Sequence, residues 1–230
     1  MTTIAILGAG QAGSVFAQVS IAAGYDIVIA NSRGPETLKD LVNNLGPRAR
    51  AASVSDASAE ADFAIVAFRY TPNDILPVRE LAGKIVIDNN NYMIWRDGSF
   101  PEVDSGLKTI HELRQEQLPL SKVVKAFTHI QFHERFPIRN SDDMLPAVVR
   151  LARPAGAPDR KALVVSSDYP EAVEFVIRFY DDLGFDAVDN SPLSASWSSA
   201  PGTPMWHQSV DGQSREELAH NLERAQRLIS

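Results

Sequence analysis

Between Ile4 and Ala30 the chain sets a short apolar run, a glycine-patterned hexapeptide, a stretch with helical periodicity and a second apolar run in succession. Few folds accept that order. Ile4-Ala5-Ile6-Leu7 is wholly apolar with two β-branched members, which suits a strand buried on both faces of a parallel sheet. Gly8-Ala9-Gly10-Gln11-Ala12-Gly13 follows at once as G-x-G-x-x-G. Ser14 to Ala23 then reads as a helix, with Val15, Phe16, Val19 and Ala22-Ala23 at helical spacing. Gly24 stops it, and Asp26 to Ala30 is a second apolar strand. In such a unit Gly8 permits a sharp turn, Gly10 lets a pyrophosphate approach the backbone, and Gly13 lets helix and strand pack closely. The first N–H groups of the helix lack intrahelical partners and favour an anion. The hexapeptide therefore reads as a dinucleotide site with Gly8, Gly10, Gln11, Ala12 and Gly13 as contact positions. A purely structural turn is the alternative.

The residues after the second strand choose the dinucleotide. A site for NAD usually places Asp or Glu there, to bind the ribose 2′-hydroxyl. Here the strand ends in Asn31-Ser32-Arg33-Gly34, and no carboxylate appears until Glu36. Arg33 suits a 2′-phosphate and can stack on adenine, while Ser32 and Asn31 add neutral hydrogen bonds. NADP(H) is the expected cofactor; a solvated Arg33 with Ser32 as a helix cap is the plainer reading.

Further on, apolar runs alternate with helical patterns, which predicts a doubly wound, mostly parallel α/β sheet. Helices are expected over 35–45, from Ser55 or Asp56 to Ala61, over 72–81 with an interruption at Pro77, from Ser105 or Thr109 to Leu118, and over 170–183, with a helical piece near 141–151. Strands are expected over 49–52, 63–67, 84–88, 122–127, 162–165 and 184–188. Residues 92–104 and 190–212 read as irregular. Ser214 to Ile229 reads as a closing helix that starts with a capping-box pattern, Ser214 to Glu217. A dinucleotide-binding unit over 1–190, with a small loop-and-helix appendage over 191–230 packed on it, is the expected organisation.

Ligands of such sheets lie beyond the carboxyl ends of the strands. Ala67, Phe68 and Arg69 after the fourth strand, Asn89 after the fifth, and Thr128 after the sixth are therefore expected near the cofactor. His129 is the candidate catalytic residue, as a positioning donor or proton source, because its ordinary pKa suits proton transfer near neutrality. His133 lies four residues on, but no third ligand stands at a sensible spacing, so no metal is expected. Arg135, Arg139, Arg150 and Arg153 could meet an anionic second ligand, or pair with neighbouring carboxylates. Trp197 and Trp206 could cover a flat ring, or pack their loop on the sheet.

Composition narrows the partners. A formal charge of −7 over 230 residues argues against a general nucleic-acid binder. With no cysteine there is no disulfide framework and no thiolate. The apolar runs are short, and neither a secretion signal nor a membrane span is found. A cytoplasmic protein without membrane contact is expected, as a homodimer acting on a small-molecule redox substrate.

The opening Ile-Leu-Gly-Ala-Gly-Gln-Ala-Gly-Ser resembles the NADP-dependent oxidoreductases of the deazaflavin coenzyme F420. So do Asn31-Ser32-Arg33-Gly34, Gly83 to Asp88, Lys122 to Phe127, Ser166-Ser167-Asp168 and Leu183-Gly184-Phe185. That resemblance, over most of residues 1–193, implies a Rossmann-type sheet and hydride transfer between nicotinamide and deazaflavin. It also implies that Gly8, Gly10, Gly13, Ser32 and Arg33 bind NADP. Where that family usually has Asn after Ala126-Phe127, this chain has Thr128-His129. Residues 89–118, 131–158 and those after Leu193 also differ. The second ligand is thus expected to be F420, a flavin, or a small carbonyl or imine. A non-catalytic NADP(H)-binding sensor is the alternative from another class.

Overall fold

The computed structural model describes residues 1–132, 145–206 and 209–227. Eight strands form one sheet: β1 (Thr3–Leu7), β2 (Asp26–Ala30), β3 (Ala49–Ala51), β4 (Phe63–Val66), β5 (Ile85–Asp88), β6 (Lys122–Lys125), β7 (Ala162–Ser167) and β8 (Asp186–Asp189). Their order is β3-β2-β1-β4-β5-β6-β7-β8. The first six run parallel, as their nearly continuous apolar sequences require. β7 then runs antiparallel to β6, pairing Val124 with Ser167 and Lys125 with Ser166, and β8 is parallel to β7. The doubly wound, mostly parallel α/β sheet is the architecture the sequence predicts, and strand order reverses beside β1.

Alternation along the strands divides two cores. Ile6, Ile29, Ile65 and Ile87 pack with Phe16 of helix α1 (Gln11–Ala22) on one face. Ala5, Leu7, Val66 and Val86 pack on the other with Ala57 of α3 (Val54–Glu60). A short 3-10 turn over Pro35–Leu38 leads into α2 (Lys39–Leu45), so the expected 35–45 helix begins more tightly wound than an α-helix. α4 (Ile94–Asp97) and α5 (Pro101–Asp104) are single turns within the stretch expected to be irregular. α6 (Ile110–Gln117) starts at a capping box made by Thr109 and Glu112, which fixes its entry onto the sheet. α7 (Ala147–Arg150) is all that the described residues show of the helical piece expected over 141–151. α8 (Pro170–Asp182) covers β6, β7 and β8. A 3-10 segment over Leu193–Ser199 replaces the loop expected after β8, and α9 (Arg215–Glu223) closes the described chain. The Ser214–Glu217 capping box forms as its sequence predicts. Leu218 of α9 packs with Met205 on Ala162 and Val164.

Two expectations are corrected. No helix forms over 72–81: the Asp74 carboxylate accepts from the backbone N–H and hydroxyl of Thr71, closing a local turn. Pro77 then lacks the N–H that helix propagation needs. The sixth strand also stops at Lys125 rather than Phe127. Phe127 takes a positive φ of 59°, and its N–H turns to the Tyr180 hydroxyl at 3.0 Å.

That break decides the fate of His129. Instead of entering the crevice, its ring is buried in the seam between β6 and β7, where Nε2 accepts the Val164 N–H at 2.9 Å. Burial pushes its pKa down to about 3, the nearby Lys125 charge adds to the shift, and a backbone hydrogen bond opposes it. A neutral ring whose Nε2 lone pair is already engaged has no proton to give there, so His129 is a structural histidine and not the proton source expected from sequence. His133, Arg135 and Arg139 lie outside the described residues.

An unfolded histidine takes up a proton near pH 6.5, whereas the folded ring resists until about pH 3. The unfolded state then binds more protons, so stability is complete above about pH 6.5 and falls as pH falls. This residue alone should account for ~2 kcal/mol lost by pH 5. Urea unfolding at pH 7 and pH 5 checks this. His129→Gln, which keeps an acceptor for Val164 without titrating there, should show a smaller difference between the two pH values; an unchanged difference would refute the assignment.

Candidate functional site

The glycine turn stands between β1 and α1, and its three glycines meet different surroundings. Gly8 has φ of +111°, and a Cβ there would lie 2.9 Å from the Ala67 carbonyl oxygen. A Cβ on Gly13 would lie 1.8 Å from the Gly8 carbonyl oxygen, so helix and turn touch backbone to backbone. Gly10 is the exception: a Cβ there meets no atom within 4 Å. Packing does not require a glycine at that position. Gly10 is the N-cap of α1 and supplies no side-chain cap, and the first turn carries no acidic residue. An uncapped helix start behind open space is a cradle for an anion.

Beyond β2, the Asn31 side chain donates to the Thr37 hydroxyl and accepts from the Arg33 N–H, both at 2.9 Å. The loop is thereby shaped from within, leaving Ser32 and Arg33 exposed. After β4, the Phe68 ring lies beside Gly8, 3.5 Å from where a Cβ would sit. Arg69 is largely exposed and lies 3.5 Å from the Asp97 carboxylate. Asn89 and Asn91 tie the carboxyl ends of β5 and β6 together, donating to the carbonyls of Phe127 at 3.0 Å and Thr128 at 2.7 Å. The Thr128 hydroxyl is buried with no hydrogen-bond partner among the described residues.

Next to these strand ends a cavity of about 670 Å³ opens, within the range of small-molecule sites. Trp197, Trp206 and Tyr92 line it, together with His111 and Lys125; Thr128 and His129 do not. Thus both tryptophans singled out in the sequence reach the cavity. Arg150 and Arg153 donate instead to backbone carbonyls, and Arg153 also pairs with Asp159.

Behind the cavity lies a buried charge cluster. Asp88 ends β5 and faces Lys125 of β6 in the strand register. Its Oδ2 is 2.9 Å from His111 Nδ1 and 3.8 Å from Arg114 Nε, and its Oδ1 accepts the Asn90 N–H. Burial alone would raise the Asp88 pKa. The His111 hydrogen bond and the charges of His111 and Arg114 nevertheless hold it below the usual carboxylate range. An ionised Asp88 accepts from Nδ1–H, so His111 keeps a bare Nε2. Burial, opposed by Asp88, holds the His111 pKa below its ordinary value, and the charges of Lys125 and Arg114 add to the shift. Arg114 sits between the Phe68 and Tyr70 rings, its Cζ 5.3 and 5.1 Å from their centroids, and bonds Asp74 at 2.9 Å. Lys125 donates to the Ser196 carbonyl at 2.6 Å and to the Ser199 hydroxyl. Burial pushes its pKa down to about 7 against the pull of Asp88.

Sequence reasoning missed this cluster. The available signal was Lys125 itself, a charge inside Val123-Val124-Lys125-Ala126-Phe127, where each neighbour is apolar. His111 and Arg114, three residues apart on α6, gave a second, since that spacing puts both on one helix face. Among the described residues no group of acidic, histidine or cysteine side chains could hold a metal. No helix there is long and apolar enough to cross a membrane.

Residues 3–92 match the family model of NADP oxidoreductases, coenzyme F420-dependent. A crystal structure of the hypothetical protein SMa0349 from Sinorhizobium meliloti is 31% identical, covering 89% of this chain and 93% of that one, with a TM-score of 0.67. A protein from Arthrobacter sp. FB24, named for an expected F420-dependent NADP-reductase activity, shares the fold at 21% identity, covering 85% and 87% with a TM-score of 0.65. An imine reductase from Myxococcus stipitatus, solved with NADP+, shares it at 16% identity, covering 96% and 60% with a TM-score of 0.52. The YjhV protein of Escherichia coli (strain K12) is 36% identical over 53 residues, 23% of this chain, and the aligned stretch spans 39% of that protein's length. By its likeness along nearly the whole Sinorhizobium protein the chain belongs to the same family as that protein, and its residues 3–92 carry the match to the coenzyme F420-dependent NADP oxidoreductases.

Proposed function

We propose that this protein is an NADP(H)-dependent oxidoreductase that moves hydride between the nicotinamide and a second cofactor or small substrate held in the cavity beside Lys125. The observation that carries this reading is the open space at Gly10, before a helix start that no side chain caps, next to a loop ending in Arg33. Gly8, Gly10, Gln11, Ala12 and Gly13 would hold the pyrophosphate. Asn31 shapes the loop from which Ser32 and Arg33 would take the 2′-phosphate. Ala67, Phe68, Arg69, Asn89 and Thr128 surround the strand ends toward which the rest of the cofactor would extend. When bound, the nicotinamide supplies or accepts a hydride. Trp197 and Trp206 would exclude water from the neighbouring cavity. The family match makes F420 the first acceptor to test, with a flavin second. A sensor would be served by a flat face; a concave cavity backed by buried titratable groups favours chemistry.

Two sets of variants test the nucleotide site. NADPH should bind at least tenfold more tightly than NADH, ~1.4 kcal/mol, and Arg33→Ala should remove most of that difference while sparing NADH. Equal affinity of the unmodified protein for both coenzymes would refute the 2′-phosphate site. Gly10→Val should abolish NADPH binding yet leave the urea midpoint nearly unchanged, because its side chain enters open space. Gly13→Ala should instead destabilise the fold by ~2 kcal/mol or more, because its Cβ meets the Gly8 carbonyl. A Gly10→Val protein that still binds NADPH normally would reduce the motif to a structural turn.

A further inference from the structure

Lys125 is a buried amine on the wall of the cavity, and the described residues do not use up the donors of its protonated form. An ammonium has three N–H groups. Two are taken by the Ser196 carbonyl and the Ser199 hydroxyl, and the third has no acceptor among the described residues. No carboxylate lies within ion-pair distance of it among those residues; Asp88, its partner across β5 and β6, is bonded to His111 instead. Keeping such a group out of water is costly unless it serves a bound molecule. Hydride transfer to a deazaflavin requires little acid–base help, so that chemistry leaves a buried amine and its backing carboxylate without a task. Reduction of a carbonyl requires a proton at oxygen as well as a hydride at carbon.

We propose that Lys125 Nζ binds the oxygen of a small ketone or aldehyde in this cavity and delivers the proton when that carbonyl is reduced. The proposal rests on the NADP(H) oxidoreductase reading and names its substrate class. As hydride from the reduced nicotinamide adds to the carbonyl carbon, the π pair moves to oxygen. That oxygen takes a proton from the Lys125 ammonium and becomes a hydroxyl, and the resulting amine regains its proton from solvent. Ser196 and Ser199 fix Nζ in place. Trp197, Trp206 and Tyr92 offer an apolar berth for the body of the substrate.

The test is calorimetric titration of acetophenone into the protein without coenzyme, from pH 6 to pH 9. Lys125 loses its proton near pH 7, so affinity should be full at pH 6 and fall at least tenfold by pH 9. The titratable groups that interact with Lys125 are Asp88 on β5, His111 on α6 and His129 after β6. Asp88, His111 and His129 are all held below their ordinary values, so a fall in affinity between pH 7 and pH 9 is not theirs. Lys125→Met should bind acetophenone at least tenfold more weakly at pH 6 and lose the pH dependence. Absence of saturable binding, a flat pH profile, or unchanged affinity in Lys125→Met would overturn the proposal; should that variant fail to fold, the pH profile of the unmodified protein decides alone. NADPH binding is measured on the same preparations. If NADPH binds and acetophenone does not, only the carbonyl proposal fails, whereas failure to bind NADPH defeats the oxidoreductase reading.

Discussion

The site depends on one buried carboxylate, Asp88 at the end of β5. A charge with no exposed surface is tolerated only where hydrogen bonds and opposite charge surround it. Asp88 meets that demand with His111 and Arg114 from α6 and with the Asn90 N–H from its own loop. α6 is thereby set against the sheet at a fixed rotation. The tautomer of His111 is fixed by the same contact, and the charge beside Lys125 makes its burial tolerable. Arg114 carries the order outward, because Phe68 and Tyr70 clasp it and Asp74 binds it. The turn at Asp74 that displaces the expected 72–81 helix is therefore part of the same network.

The two halves of the site differ in how they are built. The nucleotide half is mostly backbone: a Gly13–Gly8 contact, an uncapped helix and a loop shaped by Asn31. The cavity half is side chains converging from β5, β6, α6 and the segment after β8. Two of its polar groups, His111 and Lys125, have lowered proton affinities, as expected where burial and neighbouring charges meet.

The same difference explains what the sequence discloses. Glycines at fixed offsets and alternating apolar runs are local signals, and they located all eight strands to within a residue or two. Lys125 and Ser196 are 71 positions apart, so nothing local relates them. His129 misled for a related reason. Placement after an apolar strand suggested the crevice, but Phe127, with its positive φ, turned the following residues into the β6–β7 seam. The helix expected over 72–81 carries Pro77 in its middle, and the Asp74 turn closes the stretch before it.

The reversal of β7 has a consequence for how such a protein diversifies. Because β7 and β8 run against β6, β8 ends at Asp189 beside Val165, one position beyond Lys125 in the β6 register. The segment that follows β8 brings Ser196 and Ser199 to Lys125. The wall of the cavity is thus a late graft on a frame already completed by the parallel strands. Substitutions in that segment need not disturb the glycine turn, which lies at the other end of the strand order. Descendants of one nucleotide-binding frame can therefore exchange one acceptor for another by rewriting a short stretch of chain, while the coenzyme they inherit stays the same.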